Sequence, residues 1–89
     1  MPVISMFYGI IVYMYNMDNN KHHAPHIHVE YQDDTAVINF VTGEILEGAL
    51  SGKQMRLLLA WIEIHRDELT ADWQLAVNGR KVFKIKPLE

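Results

Sequence analysis

The chain has 89 residues, enough for one domain, residues 1–89, and too few for two. Hydrophobic residues make up 49%, which excludes a disordered chain, and the lack of cysteine excludes disulfides and thiolate-bound metals. The formal net charge of −3 argues against nonspecific binding to a nucleic-acid backbone.

Met1 to Phe7 has no basic stretch ahead of its apolar residues, and no small-residue cleavage site follows. A signal peptide is therefore not expected. The apolar run Gly9 to Met14 is far shorter than the roughly 20 residues of a membrane span. The cytoplasm is the default location.

Val3 to Met6 and Ile10 to Tyr15 are rich in β-branched and aromatic residues, with Gly9 between them, and read as strands. Asn16 to His23 is polar, contains Asn19-Asn20, and reads as a loop. His26 to Tyr31 alternates strictly. His26, His28 and Glu30 share one side, and Ile27, Val29 and Tyr31 the other. Thr35 to Val41 and Glu44 to Leu50 flank Thr42-Gly43 as a hairpin.

The period then changes. Ser51 is a good N-cap, and Gln54 three residues later makes a capping box. Met55, Leu58, Leu59, Ile62 and Leu69 form an apolar helical stripe. Leu57, Trp61 and Ile64 form a second stripe beside it. A helix lying on one small sheet needs a single apolar face, so the second must meet the chain's own C-terminal segment or another subunit; a homodimer is expected. The helix continues from Leu69 to Val77, with a break expected near Leu69 to Ala71, and Asn78-Gly79 ends it.

Val82, Phe83 and Ile85 against Lys81, Lys84 and Lys86 read as a short final strand or extended arm, stopped by Pro87. The fold class is thus α+β: an antiparallel sheet of about five strands, one long or two joined helices, and a short C-terminal strand.

Chemical interest centres on His22, His23, His26 and His28. Alternate residues on a strand project about 6.6 Å apart on one side. His26 and His28 at that spacing suit one shared phosphate or one shared divalent transition metal such as zinc, nickel or iron, with His22 or His23 folding back as a third ligand and Glu30 adding a carboxylate. The same two imidazoles suit acid–base cleavage of a phosphodiester, one neutral and one protonated. The alternative is a solvated sheet face with loop histidines beside it.

His65 continues the Leu58, Ile62, Leu69 stripe and is expected to face the sheet as a hydrogen-bonded core residue. It joins the cluster only if the His26/His28 side lies under the helix. Trp61 and Trp73 read as core or dimer contacts, and Tyr8, Tyr13, Tyr15 and Tyr31 as sheet residues. Arg80, Lys81, Lys84 and Lys86 are the only basic concentration. They read as a solvated edge guarded by lysines, with nucleic acid a less favoured partner.

Several motifs in order give a family resemblance over essentially the whole chain. Met1-Pro2, Phe7-Tyr8-Gly9-Ile10 and Tyr13-Met14-Tyr15 are similar to the opening strands of the bacterial domain-of-unknown-function family 4160. Ala24-Pro25-His26-Ile27-His28-Val29-Glu30-Tyr31 resembles its Pro-Pro-His-x-His signature, and His22 stands where a loop histidine is frequent. Thr42-Gly43-Glu44 with Glu47-Gly48 resembles its hairpin. Trp61 to Leu69 and Asp72 to Ala76 are similar to its helices, and Phe83 to Leu88 to its ending. Two departures stand out: Ala24 replaces the first proline, and His23 is an additional histidine.

The resemblance implies no settled activity. It does imply a small protein partner encoded nearby, in an arrangement like a toxin–antitoxin pair. Two functions follow as expectations. One is a noncatalytic partner-binding module. The other is a metal-binding hydrolase or nuclease acting at His22, His26 and His28.

Overall fold

The structure, a computed structural model, describes residues 2–15 and 24–89. Five strands form one antiparallel sheet in sequence order: β1 (Val3–Phe7), β2 (Ile10–Tyr13), β3 (His26–Tyr31), β4 (Asp34–Asn39) and β5 (Ile45–Gly48). Three of the connections are tight, and each has a visible cause. Tyr8 and Gly9 both take positive φ, 48° and 80°, which a two-residue hairpin turn between right-twisted strands requires. Gln32, at φ 53°, opens the two-residue link from β3 to β4. After β4, Asn39 Oδ1 accepts hydrogen bonds from the N–H of Val41 at 2.8 Å and of Thr42 at 3.2 Å. That side chain takes over from the ladder, so β4 ends at Asn39, two residues before the sequence pattern suggests.

The helix α1 (Gly52–Val77) follows, and the architecture is α+β as expected. Ser51 holds the N-cap position in an extended conformation, yet its hydroxyl donates to the Gln54 side chain and does not cap the backbone. The C-terminus behaves as the sequence implies. Gly79, at φ 71°, donates to Ala76 O at 3.0 Å, and Arg80 donates to Leu75 O at 2.8 Å. These two reversed bonds are a Schellman motif, which satisfies carbonyls the helix would otherwise leave bare. Two helical segments meet at His65, where φ −112° and ψ 21° leave the helical region. The break therefore precedes the expected Leu69 to Ala71. It lies beside Arg66, whose Nε donates to Phe40 O at 3.2 Å and ties the helix to the end of β4.

The core lies between the helix and one side of the sheet. Ile10, Val12, Met14, Ile27, Val29, Ala36, Ile38 and Phe40 supply the sheet side. Leu58, Trp61, Ile62, Leu69, Trp73 and Ala76 supply the helix. Neither predicted stripe survives whole. Leu58, Ile62 and Leu69 of the first are buried with Trp61 of the second, while Ile64 is 64% exposed.

The chain itself covers Trp61. Residues 80–89 run back over the helix and along β1, burying Val82 and Ile85. Trp61 Nε1 donates to Lys86 O at 2.9 Å, and Ile85 N–H donates to Ile4 O at 2.7 Å. Trp61 of the second apolar stripe thus finds its cover within the chain, while Ile64 of the same stripe stays open to solvent. This segment is an extended arm and not the expected sixth strand. The side chains it buries, Val82 and Ile85, are three apart, whereas a strand repeats every two. Phe83, read as part of its apolar side, is 71% exposed. No helix among the described residues is long and apolar enough to cross a membrane.

Asp72 fastens the start of the arm. Its Oδ1 accepts the Phe83 N–H at 3.0 Å, while Oδ2 is buried without a hydrogen-bond partner among the described residues. Burial raises the Asp72 pKa above its ordinary 3.8; the Phe83 bond opposes the rise, and the nearby Glu68 charge adds to it. The folded state therefore holds this proton more tightly than the unfolded state does. Stability contributed by Asp72 is full below the ordinary carboxylate value and falls as pH rises through the raised one. Urea midpoints measured from about pH 4 to 7 should show wild type losing stability relative to Asp72→Asn as pH increases. A difference that stays flat across that range contradicts the account.

Candidate functional site

The sheet has a second side, away from the core, and the histidine strand runs through its middle. Because β3 alternates, Ile27 and Val29 enter the core and leave His28 and Glu30 half-buried on the opposite side. Register then assembles a row across four strands. Tyr13 of β2 pairs with His28, His28 with Val37 of β4, and Val37 with Glu47 of β5. The next row places Ile11, Glu30 and Thr35 together.

Tyr15, two residues beyond Tyr13, falls on the same side. Its ring stacks with Tyr13 at 6.2 Å between centroids and 7° between planes. The same ring meets His28 edge-on at 4.5 Å. Tyr13, Tyr15, His28, Glu30, Val37 and Glu47 line a groove of about 280 Å³. The Tyr13 hydroxyl makes a long hydrogen bond, 3.4 Å, to Glu30 Oε2. Burial raises the Tyr13 pKa, and the Glu30 carboxylate raises it further, so the phenol stays neutral near pH 7.

His26 departs from its strand neighbours. Alternation puts it on the side of His28, and their ring centroids are 5.3 Å apart. Yet His26 is only 1% exposed, because Trp73 reaches the start of β3 and packs on it at 5.0 Å. Its Nδ1 lies 2.8 Å from Ala24 O, which fixes that nitrogen as the protonated one. The structure thus gives His26 a packing role at the sheet's end.

Among the described residues no group of three or more metal-ligating side chains could hold an ion. His26, His28 and Glu30 therefore make no complete centre by themselves. His22 and His23 lie outside the described residues. His65 belongs elsewhere: it packs on Trp61 at 5.6 Å, and its Nδ1 meets Glu68 Oε1 at 2.6 Å. The helix covers the Ile27/Val29 side of β3, which is why His65 and the histidine strand are separated.

Sequence reasoning singled out His28 and Glu30 and missed Tyr13, Tyr15 and Glu47 as companions. The Tyr-x-Tyr spacing repeats the parity of His-x-His, and that was a usable signal. Glu47 carried none, because its place depends on the irregular β4–β5 register.

A family model described as Domain of unknown function (DUF4160) matches residues 9–74. The chain belongs to this family. The match runs from the turn before β2 to Gln74 in α1, so it contains the whole groove. β1 and the C-terminal arm lie outside it. No curated protein and no solved structure matches the chain significantly.

Proposed function

We propose that the chain is a noncatalytic partner-binding module and that the partner sits on the outer side of the sheet. The observation that carries this reading is the groove formed by Tyr13, Tyr15, His28, Glu30 and Glu47. Stacked aromatics with polar tips beside half-buried ionisable groups are the composition of a protein-recognition surface. The gene arrangement implied by the family resemblance supports a small protein partner, in a pair of the toxin–antitoxin kind.

Co-expression with the product of the adjacent reading frame tests this. The expected result is a stable complex with a higher melting temperature than either component, lost on Tyr15→Ala. Two proteins that elute separately and melt independently would remove the reading.

One observation favours a second reading, a metal-dependent hydrolase or nuclease. Two imidazoles bound to one zinc at about 2.0–2.1 Å per nitrogen have centroids about 5 Å apart, close to the His26–His28 separation. The remaining ligands would come from His22 and Glu30. A zinc arm in the same melting experiment separates the readings. Zinc that raises the melting temperature of wild type and not of His28→Ala supports the second one.

A further inference from the structure

We propose that the groove on the outer side of the sheet is a receptor for one arginine side chain, presented by a basic segment of a protein partner. The proposal rests on the partner-binding reading and names what that partner must offer. Three features of the groove lead to it.

The first is charge. The described lining residues include no lysine or arginine and hold the carboxylates of Glu30 and Glu47, in a chain of net charge −3. Such a lining attracts a cation and repels phosphate, which turns the surface away from nucleic acid. The second is shape. A volume of about 280 Å³ lies at the lower limit for small-molecule sites and suits a single long side chain.

The third feature selects arginine over lysine. Tyr13 and Tyr15 present near-parallel rings, 7° apart, and a guanidinium plane stacks on such faces where an ammonium does not. Glu30 supplies the matching fork. Tyr13 occupies one site on Oε2, and a carboxylate offers about four acceptor sites, so a two-pronged guanidinium contact remains open to it. The stack and the fork adjoin because Tyr13 and Glu30 occupy neighbouring rows of the sheet.

The probes are acetylated, amidated triarginine, trilysine and tricitrulline, the last keeping the arginine shape without its charge. Titrations followed by NMR of the tyrosine and histidine rings should show triarginine shifting Tyr13, Tyr15 and His28. Trilysine should bind more weakly, and tricitrulline should not bind. Glu30→Gln should weaken triarginine binding by about tenfold or more. If that variant does not fold, Glu47→Gln replaces it, with the same expectation.

Equal binding of tricitrulline, equal binding of trilysine, shifts confined to other regions, or an unaltered affinity in a folded Glu30→Gln would each overturn the proposal. Its failure is distinct from that of the reading beneath it. A complex with the neighbouring gene product that forms equally well with Glu30→Gln defeats the arginine receptor and leaves partner binding intact. Where no complex forms, the peptide titration still decides whether the groove takes arginine.

Discussion

Gly48→Ala should unfold or severely destabilise the protein, by about 3 kcal/mol or more. Two separable effects add at this position. The backbone at Gly48 has φ 72°, a conformation that costs an L side chain about 1–2 kcal/mol. The space is also filled. A Cβ here would overlap Thr35 O and lie 3.0 Å from Thr35 C and 3.1 Å from Ala36 Cα, all of them backbone atoms. No side chain can swing away, so β4 and β5 would have to part. The Ala49 N–H bond to Thr35 O, 3.1 Å, would go with them.

Gly43→Ala is the internal control. It has a similar φ, 82°, but its Cβ would only touch Leu59 Cδ2 at 3.4 Å. That substitution should cost only the conformational part, about 1 kcal/mol. Urea denaturation of the two variants separates strain from close approach. Equal losses would show that β4 and β5 are not in contact at Gly48. Since β5 carries Glu47, the groove should fail together with the fold in Gly48→Ala and survive in Gly43→Ala.

Trp61→Ala should cost about 3–5 kcal/mol, the range for deleting a large buried aromatic. Trp61 has no exposed surface, packs on Phe7 at 5.2 Å, and holds the arm through its bond to Lys86 O. A domain of this size has a total stability of about 4–13 kcal/mol, so a loss that large lowers the melting temperature by about 15 °C or more. Trp61→Phe keeps a buried aromatic ring but removes the N–H together with part of the indole. It should cost about 2–3 kcal/mol, less than the alanine change, and free the arm. Trypsin cleavage after Lys81 and Lys84 reads this directly, since Pro87 blocks the enzyme at Lys86. Faster cleavage in Trp61→Phe, with the sheet still folded, is the expected pattern. Unchanged cleavage would mean that the indole bond does not hold the arm.

The contrast between what was legible in the sequence and what was not follows range along the chain. β3 was legible because its apolar and polar residues alternate without exception, and the helix end was legible because Asn78-Gly79 supplies its own geometry. Trp61 and Ile64 looked equivalent on the helix. Only the return of residues 80–89 buries one and leaves the other in solvent, a contact between segments more than twenty residues apart. His26 and His28 likewise looked alike on their strand. Trp73 arrives from the far end of the helix and covers the first of them, which leaves His26 buried and His28 half-buried. The groove itself depends on register between β2, β3, β4 and β5, and no single segment encodes that.

The arm's contact with β1 also sets an order in time. Ile4 and Ile85 are joined by a backbone hydrogen bond, and 81 residues of synthesis separate them. At about 5–20 residues per second, Ile4 waits about 4–16 s on the ribosome before its partner has been made. Throughout that interval the outer edge of β1 lacks the cover it has in the finished fold. An uncovered strand edge is a template for pairing with another chain. The vulnerable period of this protein is therefore its birth, when neighbouring nascent chains on one message expose the same unfinished edge.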